Sequence, residues 1–160
     1  MDQTVKNVSG SDAASVRLGP EKAFNNKTQD WAAELKAATG GKGVNVILDM
    51  VGGDYFPKEL KGLADDGRLV FIAFLRGAKT ELDINELMRR RLVITGSTLR
   101  PRPVEFKAAI ARSLREKVWP LLEAGRINPE IYSTFPLAEA REAHRLMESS
   151  QHIGKLVLAI

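Results

Sequence analysis

The residues whose types and spacing could do chemistry are few, and the clearest group follows an apolar run. The stretch VNVILDMVGGDYF (44–56) places an aspartate and then two adjacent glycines directly after Val, Ile and Leu. Such a run predicts a buried strand that ends in a tight loop. Ligands of open parallel α/β sheets bind beyond the carboxyl ends of the strands, so this loop is a candidate cofactor contact. An ordinary turn between a strand and a helix is the alternative.

Other catalytic chemistry has little support in the sequence. The chain has no cysteine, which excludes disulfides and thiolate metal ligands, and its two histidines, His144 and His152, do not make a convincing zinc centre. Neither histidine has an activating carboxylate at a recognisable spacing, so both are interpreted as structural or exposed. We therefore assign no catalytic residue and no metal ligand.

The composition indicates a folded domain. The 160 residues are 44% hydrophobic, and 24 Lys and Arg against 20 Asp and Glu give a net charge of +4. Acidic residues are mixed among the basic clusters and aromatic residues are scarce, which argues against nucleic-acid binding. No apolar run approaches the roughly 20 residues that span a bilayer. From these features we expect a protein that associates with neither nucleic acid nor membrane. The absence of cysteine fits a reducing compartment, so we expect the protein to be cytoplasmic.

The elements that must position the candidate loop alternate between helix and strand. A first helix is expected after a cap at Thr28 or Asp30, and another after the capping box of Asp83 and Glu86. A further helix is expected over residues 55–64, and strands over 44–49, 68–74 and 92–97. Short connections and strands that are apolar throughout predict a parallel sheet covered on both faces.

The pattern changes from residue 103 onward to one long amphipathic helix. Phe106, Ile110 and Leu114 lie on a single apolar stripe, Pro120 is expected to kink the helix, and Gly125 is expected to end it. The remaining residues predict a strand, a helix and a last strand over 155–160.

Four segments resemble a known family. GGKGVNVILDMVGGDYF, GRLVFIAFLRG, LVITGSTLRPR and FPLAEAREAHRLMESSQHIGKLVLAI, in this order, are similar to the carboxyl-terminal half of the zinc-free quinone oxidoreductase branch of the medium-chain dehydrogenases. The resemblance implies an α/β fold, a partial doubly wound, Rossmann-like parallel sheet lacking its first strand, plus a carboxyl-terminal segment of the GroES-like catalytic domain. It makes residues 1–99 a partial dinucleotide-binding domain, 100–126 a bridging helix and 127–160 the segment that returns to the catalytic domain.

The resemblance also implies an activity, which is hydride transfer from NADPH to a quinone or enone acceptor without zinc. It implies a homodimer that pairs through the strand beginning at Leu92 (residues 92–97). The sequence shows no counterpart of the family's amino-terminal catalytic domain or of its glycine-rich phosphate turn, so we expect a truncated form with weak or no activity alone. The alternative is a non-catalytic dimeric interaction module that has lost cofactor binding.

The residues that match the family's cofactor contacts follow successive strands. By resemblance, Ser11 and Asn26 lie at the adenosine end, with Asn26 where the family has a tyrosine; a helix cap and a solvated turn are their alternatives. The other matching positions are Met50, Val51, Gly52, Ala73, Phe74, Leu75, Ser97, Leu99 and Lys155. Core packing is the alternative for Phe74 and Leu75, and a solvated side chain is the alternative for Lys155.

Overall fold

The computed structural model describes residues 5–8, 21–26, 28–149 and 151–160, and its described strands are all parallel. β1 (Val5–Val8) pairs with β2 (Lys22–Asn25), and β6 (Ile131–Pro136) pairs with β7 (Lys155–Ala159). Between these pairs, β3 (Val44–Asp49), β4 (Leu63–Phe71) and β5 (Val93–Gly96) form a three-stranded sheet with β4 in the centre. The expected α/β architecture with parallel sheets is confirmed.

Helices connect these strands. They are α1 (Trp31–Ala38), α2 (Phe56–Gly62), α3 (Ile84–Arg89), α4 (Val104–Lys117), α5 (Trp119–Glu123) and α6 (Ala140–Ser149), with 3-10 turns at Gly53–Tyr55 and Leu137–Glu139. Both expected amino-terminal caps form. Asp30, rather than Thr28, accepts a hydrogen bond from the Ala32 amide, and Asp83 accepts from the Asn85 and Glu86 amides. These bonds satisfy amides that have no partner within the helix. None of the helices described is long and apolar enough to cross a membrane.

Strand β4 differs from its expected boundaries. It begins at Leu63, which pairs with Val44, and its register then jumps so that Arg68 pairs with Val46. Residues 65–67, which separate the expected helix from the expected strand, lie inside this irregularity, where Asp66 has a φ of 61°. The strand ends at Phe71 instead of residue 74, because the following residues turn towards the loop after β3. Their amides bond to Asp49, Met50 and Val51 carbonyls.

The main core lies on one face of the three-stranded sheet. Leu63 and Leu69 are 1% and 0% exposed, and they pack with Phe56 and Leu60 of α2 and with Leu92. A smaller cluster joins Phe24 of β2 to Trp31 and Leu35 of α1. Because side chains alternate along a strand, Ile47 of β3 also points to the main core.

The other face of the sheet is open, which differs from the expectation that both faces are covered. Val46 and Leu48 of β3 are 62% and 66% exposed. The apolar stripe of α4 does not cover them, since Phe106 and Leu114 on that stripe are themselves 47% and 48% exposed. Among the described residues, helix α2 therefore buries one face of β3 and leaves the opposite face to solvent.

The expected long helix is broken into two. α4 ends at Lys117, and α5 begins two residues later with Pro120 in its first turn. Proline has no N–H to donate to the preceding turn and clashes with its carbonyl, which accounts for the break. Gly125 follows α5 with a φ of 66°, as expected for a residue that ends a helix.

The basic cluster after α3 is occupied by internal contacts. The Arg90 guanidinium donates to the carbonyls of Leu60 and Leu63 and to Glu86. Arg91 makes two hydrogen bonds of 2.7 Å to Asp66, within the irregular part of β4. These arginines therefore fix the end of α3 against β4 and the end of α2.

Candidate functional site

Three loops meet at the carboxyl ends of β3, β4 and β5. The first two are joined by backbone hydrogen bonds: the Leu75 amide donates to Met50 O at 3.2 Å, and the Arg76 amide donates to Val51 O at 2.8 Å. The third loop begins where the Ser97 amide donates to Phe71 O at 2.9 Å. Since the strands are parallel, these loops lie at one edge of the sheet, where open α/β folds bind ligands.

The two adjacent glycines are required because the first and second loops approach each other backbone to backbone. Gly52 and Gly53 have φ values of 64° and 56°, which side chains strongly disfavour. A Cβ atom on Gly52 would lie 2.8 Å from Gly77 O, and one on Gly53 would lie 2.5 Å from Arg76 O. Neither position has room for a side chain.

Asp49 holds the first loop from inside. Its carboxylate accepts hydrogen bonds from the Val51 amide at 2.6 Å and from the Gly52 amide at 2.8 Å, and the residue is 2% exposed. Each carboxylate oxygen thus accepts one amide hydrogen bond. The last residue of β3 therefore fixes the conformation of the turn that follows it.

Glu59 of α2 is a second buried carboxyl beside Asp49. It is 6% exposed, and burial raises its pKa from the ordinary 4.5 to about 8, with the Asp49 charge and a hydrogen bond to Asp49 contributing. Oε2 of Glu59 is buried without a hydrogen-bond partner among the described residues. Burial beside Asp49 therefore favours the neutral form of Glu59.

An aromatic cluster flanks the first loop. The Asn26 amide donates to the Tyr55 hydroxyl at 2.6 Å, and the Tyr55 ring stacks on Trp31 with centroids 5.6 Å apart. The Arg76 guanidinium lies 5.6 Å from the Tyr55 ring centroid and makes two hydrogen bonds to Asp54, which lower the pKa of Asp54. Arg76 therefore ties the second loop to the start of the 3-10 turn.

Two cavities open at this edge of the sheet. The first has a volume of about 240 Å³ and is lined mainly by small residues, among them Gly52, Ala73 and Ala78, with Phe74 on its wall. The second, of about 350 Å³, shares Ala73 and Phe74 and extends to Ser97 on the third loop. Small side chains and backbone at such a cleft permit close approach of a flat ligand.

The structure brings most of the predicted site residues together. Those on the three adjacent loops are Met50, Val51, Gly52, Ala73, Phe74, Leu75, Ser97 and Leu99. Asn26 reaches the same region through Tyr55. Lys155 begins β7 in a different sheet, where its amide donates to Glu130 O at 2.7 Å, and it lines neither cavity. Ser11 lies outside the described residues. The roles of these residues in binding stay predictions.

Comparison with known proteins decides the family. The family described as "Zinc-binding dehydrogenase" matches residues 18–158. The chain belongs to this family.

Several proteins similar to this chain are named as oxidoreductases. The 2-haloacrylate reductase of Burkholderia sp is 32% identical over 146 residues, which cover 89% of this chain and 43% of the relative. The quinone oxidoreductase of Rattus norvegicus is 29% identical over 145 residues, covering 89% of this chain and 42% of the relative. The solved quinone oxidoreductase of Escherichia coli complexed with NADPH superimposes with a TM-score of 0.81 and 25% identity, covering 98% of this chain and 49% of that one. The chain thus spans less than half the length of each.

The family's description names zinc, but the described residues of this chain do not fit a zinc centre. They contain no group of three or more His, Cys, Asp or Glu that could hold a metal ion. The chain has no cysteine, and His152 packs edge-on against Tyr132 with centroids 6.1 Å apart. No step of the chemistry is therefore assigned to a metal here.

Sequence reasoning missed the residues that shape the loops at this edge of the sheet. Asp49, Glu59 and Arg76 were not among the predicted site residues, yet Asp49 and Arg76 bond directly to the first loop or its turn. A signal for Glu59 exists: with Phe56, Leu60 and Leu63 it has the spacing of an apolar helix stripe, and all four residues are buried. A carboxyl on such a stripe predicts a buried acid.

Proposed function

We propose that this chain is part of an NADPH-dependent oxidoreductase that transfers hydride to a quinone or enone acceptor. The single observation that carries the proposal is the pair of cavities at the carboxyl ends of three parallel strands, walled by Gly52, Ala73, Phe74 and Ser97. The NADPH complex of the similar Escherichia coli quinone oxidoreductase and the oxidoreductase names of the relatives support it.

The nicotinamide cofactor supplies the hydride, and the residues of this chain bind and orient it. In the proposal, the small residues Gly52 and Ala73 give the ring room, while Phe74 and Leu75 shield it from water. Met50 and Val51 lie along the cofactor, Ser97 and Leu99 flank the ring, and Asn26, Ser11 and Lys155 contact the adenosine and phosphate parts. Zinc has no role in this scheme.

Turnover by the isolated chain is proposed to be weak or absent. The sequence contains no glycine-rich phosphate turn, which is the main pyrophosphate anchor of such folds. No described residue is assigned to polarise the acceptor. The domain arrangement is proposed as residues 1–99 for the cofactor, 100–126 as the bridge, and 127–160 with the catalytic domain. The bridge consists of α4 and α5 rather than one continuous helix.

A homodimer in the cytoplasm is the proposed state. Strand β5 pairs only with β4 among the described strands, so its second edge is available to the same strand of another copy. The lack of cysteine suits a reducing compartment. A monomeric mass in light scattering would contradict the dimer.

Calorimetric titration of the 160-residue chain with NADPH and with NADH tests the binding proposal. Saturable binding is expected, tighter for NADPH. Ala73→Leu fills the wall shared by both cavities and is expected to abolish binding, whereas Ala109→Leu, an exposed position on α4, is the matched control. Binding that survives Ala73→Leu unchanged would place the cofactor elsewhere and refute the assigned site.

A non-catalytic dimeric interaction module that has lost cofactor binding is the second candidate. The exposed apolar face of β3, with Val46 and Leu48, favours it, because such surfaces commonly mark contacts between proteins. The same titration separates the two candidates. Absence of binding by both dinucleotides, in a chain that is folded and dimeric, would favour the interaction module.

A further inference from the structure

The buried pair of Asp49 and Glu59 is not explained by packing alone. Two carboxyls that are 2% and 6% exposed lie in contact between β3 and α2, at the base of the loop that lines the first cavity. Two neighbouring carboxylates cannot both ionise without a large penalty in a dry site. One of them must therefore carry a proton when the chain is folded at neutral pH.

The contacts show which carboxyl carries this proton. Asp49 uses both of its carboxylate oxygens as acceptors of amide hydrogen bonds. Glu59 receives no donor at Oε2 from the described residues, so its neutral form is favoured. A protonated Glu59 can donate a hydrogen bond and Asp49 can accept it. The contacts of the pair are therefore satisfied when the proton is on Glu59.

Nearby cations do not change this assignment. Arg90, which reaches the end of α2, is engaged with Glu86, Asp65 and the carbonyls of Leu60 and Leu63. Lys58, on α2, contributes to the lowered pKa of Asp54. Asp49 is the charged group that acts on Glu59.

We propose that Glu59 is a positioning residue: as a neutral acid it donates to Asp49, and Asp49 in turn holds the Val51 and Gly52 amides in the geometry that receives the cofactor. Loss of the proton places a second charge beside Asp49 and displaces its carboxylate from these amides. The proposal rests on the proposed function for its consequence in cofactor binding, but not for its structural part.

The geometry transmits a displacement of Asp49 to both walls of the first cavity. The first loop contacts the second through backbone atoms, with Val51 O accepting from the Arg76 amide at 2.8 Å. The glycine at position 52 leaves no free space, because the site of a Cβ is 2.8 Å from Gly77 O. A rotation of the first turn therefore moves the second loop as well.

Amide hydrogen exchange, read residue by residue by NMR and corrected for intrinsic base catalysis, tests the structural part. In the wild-type chain the protection factors of Val51 and Gly52 are expected to fall about tenfold between pH 6.5 and 9, as the protonated fraction of Glu59 falls. Glu59→Gln keeps a donor that does not titrate, so its protection factors are expected to stay constant. Glu34→Gln, at an exposed position on α1, is the control and is expected to follow the wild type.

Carboxyl ¹³C titration gives an independent result on the same samples. A Glu59 midpoint near pH 8 supports the proposal, and a midpoint near 4.5 overturns it. Equal pH profiles of wild type and Glu59→Gln in amide exchange would overturn it as well.

The NADPH affinity of the same three proteins separates this proposal from the proposed function. A wild-type affinity that weakens about tenfold by pH 9, with Glu59→Gln unaffected, supports both. No binding by any of the proteins, together with the expected exchange profiles, refutes the proposed function and leaves the positioning of the loop by Glu59 established. Binding with the same pH profile in wild type and Glu59→Gln refutes the positioning role alone.

Discussion

Replacing Glu59 with glutamine is expected to stabilise the folded chain at neutral pH. In the wild type the folded state holds a proton on Glu59 up to a pKa of about 8, while an unfolded glutamate releases it near 4.5. Between these values the folded state binds more protons than the unfolded state, so the free energy of unfolding falls as pH rises. Glutamine presents a neutral donor to Asp49 at every pH and removes this dependence.

The size of the effect follows from the pKa shift. Each pH unit above 4.5 lowers the wild-type free energy of unfolding by about 1.4 kcal/mol, which amounts to roughly 3 kcal/mol at pH 7 as an upper bound. We expect Glu59→Gln to be about 2 kcal/mol more stable than the wild type at pH 7, since the amide reproduces the carboxyl contact imperfectly. The difference is expected to vanish at about pH 5.5, to favour the wild type at lower pH, and to level off above a pH of about 8.

Urea denaturation at several pH values measures this difference. Trp31 is 7% exposed and stacks on Tyr55 beside the site, whereas Trp119 is 56% exposed, so a Trp119→Phe background makes Trp31 the single fluorescence reporter. Coincident far-ultraviolet dichroism checks that unfolding is two-state. A Glu59→Gln variant that is less stable than the wild type at pH 7, or a difference that does not change with pH, would refute the reasoning.

Three further predictions concern packing and caps, and each is measured by the same denaturation at pH 7. Gly53→Ala is expected to destabilise the chain by more than Gly40→Ala. Both glycines have a positive φ, but only the new Cβ at position 53 would meet a carbonyl, that of Arg76 at 2.5 Å. Equal losses of stability in the two variants would show that the first and second loops separate easily. Leu69→Ala is expected to destabilise by about 2–5 kcal/mol, since Leu69 is 0% exposed, and a loss below about 1 kcal/mol would show that its core is loosely packed. Asp83→Ala removes the cap of α3 and is expected to destabilise by about 1 kcal/mol, with Asp83→Asn close to the wild type.

The sequence predicted the features that depend on neighbouring residues. The caps at Asp30 and Asp83 and the stop at Gly125 follow from the chemistry of a single turn, and the structure confirms them. Pro120 was expected to kink one long helix, and the structure instead has two helices at this place. The strand that ends before Gly52 was predicted with its observed bounds because an apolar run is bounded by glycines on both sides. Such signals need no knowledge of the rest of the fold.

Features that depend on distant residues were not predictable in this way. The irregular start of β4 depends on the pairing of Leu63 with Val44 and on Arg91, which bonds to Asp66 from beyond the end of α3. The open face of β3 depends on where α4 lies, and an apolar stripe on a helix does not say which surface it covers. The periodicity of α4 therefore predicted a helix and not its contacts.

In the candidate site, the pair of Glu59 and Asp49 has one feature that the sequence predicts and one that it does not. The sequence alone shows that Glu59 lies on an apolar stripe, because it shares the helical spacing of Phe56, Leu60 and Leu63, and this position predicts its burial. Its partner was not readable, because Asp49 is visible in the sequence only as the residue that ends a strand. Whether a buried acid stays neutral or pairs with a cation depends on which group lies opposite. Helix α2 places Glu59 against the carboxyl of Asp49, whose two oxygens both accept amide hydrogen bonds. The proton on Glu59 is thus a consequence of packing between β3 and α2, and the pH dependence of the loop that lines the first cavity follows from it.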